Sequence, residues 1–149
     1  FYDGLAHLYI GDVEKAISRF DECYMLDPDQ IFSTYGQIYK FIFSNQRNKA
    51  LELIKQLEKM TVYDGEQYYR QIHFYSLLNM PKQAVKKMQG TLDRGFFPYP
   101  YFVSDKFLNP IRNDLGFKKV LNDIQAKHIE FKALFENTMD MNLLEKRSS

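Results

Sequence analysis

With 149 residues, 45% of them hydrophobic, the chain is long enough for one domain to bury a core without disulfide or metal support, and too apolar to stay disordered. Lys+Arg number 20 against 19 Asp+Glu, and the formal net charge of +1 removes any electrostatic reason to expect a nucleic-acid partner. The single cysteine, Cys23, excludes an internal disulfide, and no apolar run reaches the roughly 18–20 residues of a membrane span. These totals suit a cytoplasmic chain whose partner is another protein.

In chain order, "FYDGLAHLYIG" opens in a helical pattern with neither Met nor a signal peptide, so the sequence is expected to be a piece of a longer protein with more helix upstream. "GDVEKAISRFDECYMLDP" follows from Gly11 as a second helix, closed by Asp27 and Pro28. "IFSTYGQIYKFIFS" then sets Phe32, Tyr35, Ile38, Tyr39, Ile42 and Phe43 at the spacing of one buried helical face. After a turn at Asn45, "KALELIKQLEKM" keeps Ala50, Leu51, Ile54, Leu57 and Met60 on a helical period, with Lys and Glu outward. "NMPKQAVKKMQGTLD" from Asn79 completes the set. The three second-helix segments align without gaps: Ala16, Ala50 and Ala84 are each 34 residues apart, and so are the turn residues Gly11, Asn45 and Asn79. Gly and Asn tolerate the left-handed backbone that ends a helix, and the small alanines let two helices approach closely.

The period breaks at "RGFFPYPYF". Arg94 and Gly95 end a helix, Pro98 and Pro100 prevent its continuation, and a short helical turn is expected between Ser104 and Leu108. Asn113 or Asp114 should cap a last helix that runs almost to the end. Phe96, Phe97, Tyr99, Tyr101 and Phe102 are expected to plug the open end of the repeats. The alternatives are an aromatic docking surface, whose base-stacking form would want a basic field that the chain lacks, and the Pro-rich turn as a ligand for another domain. In the last helix Phe117, Leu121, Ile124, His128, Phe131 and Phe135 alternate at steps of 3 and 4, with Val120 and Leu134 widening the stripe. Its first half should cap the third unit. Its second half, with Phe131, Leu134, Phe135, Met139 and Met141, either folds back or pairs with a second copy as a homodimer.

These residues and their period resemble the tetratricopeptide repeat. Gly4, Gly11, Ala16, Phe20 and Pro28 stand at that family's small, turn, small, aromatic and terminating positions, and Cys23 at its second small position. The second and third units depart from it, with Ile38 and Ile72 for the first Gly, Ile54 and Met88 for the aromatic, and Phe96 where Pro closes the repeat. The resemblance implies an all-α fold: a right-handed α-α superhelix of three helix pairs (about 1–30, 31–64 and 65–95) plus a C-terminal capping segment, 96–149, with a long last helix. Asp105, Leu108, Pro110, Arg112, Asp114, Phe117 and Leu121 are similar to the pattern with which such arrays finish in bacterial multidomain signalling and regulatory proteins.

What the resemblance implies for function is capture of a peptide or helix in a groove lined by the first helix of each unit. The groove positions fall on Leu5, Leu8 and Tyr9, then Phe32, Tyr35, Tyr39 and Phe43, then Glu66, Tyr69, Arg70, His73 and Leu77. The family's clamp for acidic chaperone tails would require Lys, Asn and Arg where this chain has Phe1, Leu5, Gly36, Glu66 and Arg70. Only Arg70 matches, and Glu66 would repel a carboxylate, so apolar or aromatic anchors are the expected ligand chemistry. A catalytic reading finds no footing: His7, His73 and His128 lack metal-site spacing, Cys23 reads as a packed thiol, "DPD" reads as a helix terminator, and no glycine-rich loop follows a strand. No cofactor is expected. The alternative role is a regulatory or self-associating segment of a larger signalling enzyme or transcription regulator.

Overall fold

Gly11, Asn45 and Asn79 all adopt the left-handed backbone, with φ of 90°, 56° and 54°, and each closes a helix in the same way. The amide after each turn residue donates back across the last helical turn, Asp12 to His7, Gln46 to Phe41 and Met80 to Tyr75, at 2.8–2.9 Å. The period of 34 is therefore a period of backbone geometry as well as of residue type. The computed structural model describes residues 1–60 and 64–145, with side chains up to residue 136.

Three helix pairs result: α1 (Tyr2–Ile10) with α2 (Val13–Leu26), α3 (Ile31–Phe43) with α4 (Arg47–Leu57), and α5 (Gly65–Leu77) with α6 (Pro81–Asp93). The Asp12 carboxylate caps α2 by accepting from the Lys15 amide, and the Asp64 carboxylate caps α5 through the Glu66 amide. Pro81 opens α6, where the missing N–H costs nothing. No strand occurs among the described residues, so the chain is all-helical.

Ala16, Ala50 and Ala84 have no solvent exposure, as their place at the helix crossings requires. In the first pair a Cβ on Gly4 would lie 2.6 Å from the Phe20 ring and 3.2 Å from the Ala16 carbonyl oxygen. Glycine here makes room for a large ring. In the second and third pairs the places of Gly4 and Phe20 are taken by Ile38 with Ile54 and by Ile72 with Met88, all buried. Cys23 is half-buried, its sulfur 3.5 Å from the Ser33 hydroxyl.

Beyond α6 the chain does more than the expected single turn. Gly95, at φ 73°, repeats the helix-ending hydrogen bonds, with Phe96 N–H donating to the Thr91 carbonyl. Pro98 and Pro100 then start a helix, α7 (Tyr99–Ser104), rather than only forbidding one, because Pro98 precedes the first helical residue and Pro100 falls in the first turn. A 3₁₀ helix, Lys106–Ile111, follows, begun by the Asp105 carboxylate accepting from the Phe107 amide. Asp114 caps α8 (Leu115–Glu145) through the Phe117 amide. Phe117, Val120 and Ile124 bury the first half of α8 against the body, where it packs on α6. Farther along, Ile129, Phe131, Leu134 and Phe135 are exposed. Met139 and Met141, placed by sequence on the same stripe, lie outside the described side chains.

Candidate functional site

The face shared by α1, α3 and α5 is where the sequence places a groove, and the chain's own 3₁₀ segment lies across it. The Phe107 ring sits 4.5 Å from Tyr9, 5.3 Å from His73, 6.1 Å from Tyr39 and 6.2 Å from Phe43. Lys106 Nζ donates to the Leu8 and Tyr9 carbonyls at the end of α1, at 3.0 and 2.8 Å. Arg112 ties the segment to itself by donating to the carbonyls of Phe102 and Asp105.

Asp105 is the hinge pin of this arrangement. Its Oδ2 accepts from the Tyr9 hydroxyl at 2.9 Å and the Tyr69 hydroxyl at 2.6 Å, and His73 Nε2 approaches the same oxygen to 2.7 Å, off the N–H axis. A ring nitrogen that close to a carboxylate oxygen must carry the proton, so Nδ1 of a neutral His73 is the acceptor and the Tyr39 hydroxyl donates to it at 2.7 Å. Burial holds the His73 imidazole below its ordinary value, against the pull of Asp105. Burial alone would raise the Asp105 carboxyl, yet His73, the Tyr69 hydroxyl and the Phe107 amide hold it well below the usual carboxylate range. Tyr9, Tyr39 and Tyr69 are pushed well above the usual phenol range, by burial first and by neighbours that include the Asp105 charge. The cluster is therefore one ionised carboxylate held by neutral hydroxyl donors and a neutral imidazole.

The groove residues read from the sequence divide accordingly. Tyr35, Tyr39 and His73 have no solvent exposure. Tyr35 packs on Phe32 and Phe74, while Tyr39 and His73 lie under Phe107. Phe32 is half-buried and stacked on Phe1 at 5.3 Å. Leu5, Tyr9, Tyr69 and Arg70 come together at a cavity of about 300 Å³, completed by Glu66, Phe96, Tyr101, Ser104 and Asp105. Arg70 Nη2 donates to Glu66 Oε1 at 3.1 Å across one helical turn.

Asp105 and Phe107 are participants that sequence reasoning assigned only to a closing segment, and Tyr101 one that it placed there first, with a docking surface as the alternative. Their signal was present in the clustered aromatics after Gly95, but a contact between residues 9 and 105 follows from no local pattern. Of those aromatics Phe102 is buried against Tyr69 at 4.9 Å, Phe96 lies 5.6 Å from Tyr69, Phe97 meets Phe131 at 5.8 Å, and Tyr101 is exposed at the cavity mouth. Among the described residues no group of His, Cys, Asp and Glu is arranged to hold a metal ion, and no helix is long and apolar enough to cross a membrane. Comparison of the chain with family models, with curated proteins and with solved structures finds no match.

Proposed function

We propose that the chain is a non-catalytic interaction module of the tetratricopeptide-repeat kind, its helix pairs stacked as a right-handed superhelix, working within a larger bacterial cytoplasmic protein. It takes a partner peptide at the cavity between α1, α5 and α7. The observation that carries this reading is the convergence of Leu5, Tyr9, Tyr69 and Arg70, from two different units, on one opening of about 300 Å³, at the small end of ligand pockets. Tyr39 and His73 on the shared face are covered by Asp105 and Phe107, so the peptide engages the uncovered end. Tyrosine suits that work, with a large apolar ring and a polar tip at low conformational cost.

Selection of displayed peptides against the chain tests the reading. Selected peptides should shift the amide resonances of the cavity residues and lose binding to Tyr101→Ala, whose ring is exposed and whose removal should leave the melting temperature nearly unchanged. Peptides held equally well by Tyr101→Ala would put the binding surface elsewhere.

A second reading, a self-associating or regulatory segment, is favoured by the second half of α8, where Phe131 and Phe135 continue the stripe of Phe117 and Ile124 and are more than half exposed, although Phe131 still touches Phe97. There the partner is another copy or another part of the same protein.

A further inference from the structure

A second cavity, of about 470 Å³, opens where the end of α4 meets α5 and α6, and it shares no lining residue with the first. We infer that it is a further docking site, taking an acidic segment of a partner protein whose carboxylates pair with Arg94 and Lys86. It does not depend on the Tyr101 cavity.

Arg94 is held ready for such a group. Its guanidinium carbon lies 3.8 Å from the centre of the Tyr68 ring, and Nη1 donates to the Gly90 carbonyl at 3.1 Å. Gly90, buried within α6, leaves room for this stack, since a Cβ there would come within 2.7 Å of the Tyr68 ring and 3.6 Å of Arg94 Nη1. The ring and the carbonyl leave Nε and Nη2 unused, and two N–H groups side by side match the two oxygens of a carboxylate.

The charges of the wall point the same way. Lys87 Nζ lies 2.8 Å from Glu58 Oε1, the Tyr75 hydroxyl donates to that same oxygen, and Gln89 Nε2 donates to Asp93 Oδ1 at 3.2 Å. Lys86 and Arg94 have no ion-pair partner among the described residues, so with Lys87 answering Glu58 they face Asp93 alone. The surroundings are basic too: residues 81–94 carry Lys82, Lys86, Lys87 and Arg94 against one carboxylate. Lys86 and Arg94 stand about 12 Å apart along α6, a distance that an extended peptide covers in about four residues.

A second copy of this chain is the nearest rival for the site, because residues 1–30 hold seven carboxylates against Lys15 and Arg19. Most of those are engaged. Asp3 and Glu22 pair with Arg19, Asp21 pairs with Lys40, and Asp12 caps the Lys15 amide. A separate peptide with free carboxylates is the better complement.

Titration of the isotope-labelled chain, followed by NMR, tests the inference with three acetylated, amidated pentapeptides that carry glutamate, glutamine or lysine at both ends of three serines. The glutamate peptide should give saturable shifts at Tyr68, Gly90 and the Arg94 Nε–H, about tenfold tighter than glutamine and weakening as salt rises. Lys86→Gln and Arg94→Gln, both changes at exposed side chains, should each weaken it several-fold at an unchanged melting temperature, and Arg94→Lys should recover only part, having the charge without the fork. Equal binding of glutamine, tighter binding of lysine, shifts confined to the Tyr101 cavity, or full binding by Arg94→Gln each overturns the inference. Shifts of the same resonances when the chain alone is concentrated at low salt would give the site to a second copy and overturn the separate partner.

Discussion

Tyr39 and His73 are 34 residues apart, at equivalent positions of consecutive units, and their side chains meet at 2.7 Å. The repeat thus sets two polar side chains side by side in its own interior, and the second passes the contact on to Asp105. The aromatic face shared by α1, α3 and α5 is bonded there to one carboxylate from the segment that follows the helix pairs.

Removal of that carboxylate should be felt through the donors it leaves behind. Asp105→Ala strands the Tyr69 hydroxyl and the His73 N–H in a buried site, and a loss of about 3 kcal/mol in urea denaturation is expected. Tyr39→Phe, which deletes one hydrogen bond and little volume, should cost about 1 kcal/mol. If the two variants proved equally stable, the cluster would not be what fastens the 3₁₀ segment.

The same cluster fixes the pH dependence. His73 has its folded value depressed, so the unfolded chain takes up protons first, and stability falls as pH drops below the ordinary histidine value of about 6.5. Asp105 is also depressed, and its contribution, full above the ordinary carboxylate value of about 3.9, is lost on further acidification. The tyrosines are raised, so their contribution is complete below about pH 10 and is lost above it. Melting temperatures measured from pH 4 to 8 should decline toward acid, and His73→Gln should flatten the part between about 5 and 6.5. A slope unchanged in that variant would place the titrating group elsewhere.

Gly4 is a packing glycine, and Gly4→Ala should destabilise the chain by about 2 kcal/mol despite alanine's better helix propensity, because the added methyl meets the Phe20 ring at 2.6 Å. Gly36→Ala approaches Phe20 only to 3.0 Å and should cost less. The double variant Gly4→Ala with Phe20→Leu should lose less than the two single variants together, and thermal denaturation of Gly4→Ala, Phe20→Leu and the double would show whether the two sites couple.

Asn45 and Asn79 hold positive φ without being glycine. Asn45→Gly should leave stability within about 0.5 kcal/mol, whereas Asn45→Ala should cost about 1 kcal/mol, since a Cβ disfavours the left-handed region and alanine has no side-chain amide to compensate. Equal effects would mean that the turn is not held in this conformation in solution.

For the second half of α8, light scattering on the full chain and on a version ending at residue 127 separates the two fates. Self-association predicts a concentration-dependent mass for the full chain that the shorter version and Phe131→Glu both lose. A monomeric mass for all three would leave α8 without a role in dimerisation.

Much of this protein is legible in its residues. Gly11, Asn45 and Asn79 mark the helix ends because few residues accept a left-handed backbone, and Ala16, Ala50 and Ala84 mark the crossings because close approach tolerates only small side chains. Such constraints act within a few residues, so one sequence displays them, and the period of 34 repeats them three times. The resemblance to the repeat family implied that Tyr35, Tyr39 and Tyr69 face inward from the first helices. What it could not tell is which inward-facing residues meet solvent and which meet the chain's own later segment. Pro98 and Pro100 read as breakers of the preceding helix, and the structure shows that they also start α7. That course brings Asp105 to Tyr9, 96 residues away, through burial of Phe102, Phe107 and Leu108 rather than any local signal. Local stereochemistry decided the helices and their turns; long-range packing decided that the face they share is largely closed, and that a pocket remains where Tyr9, Tyr69 and Arg70 meet Tyr101.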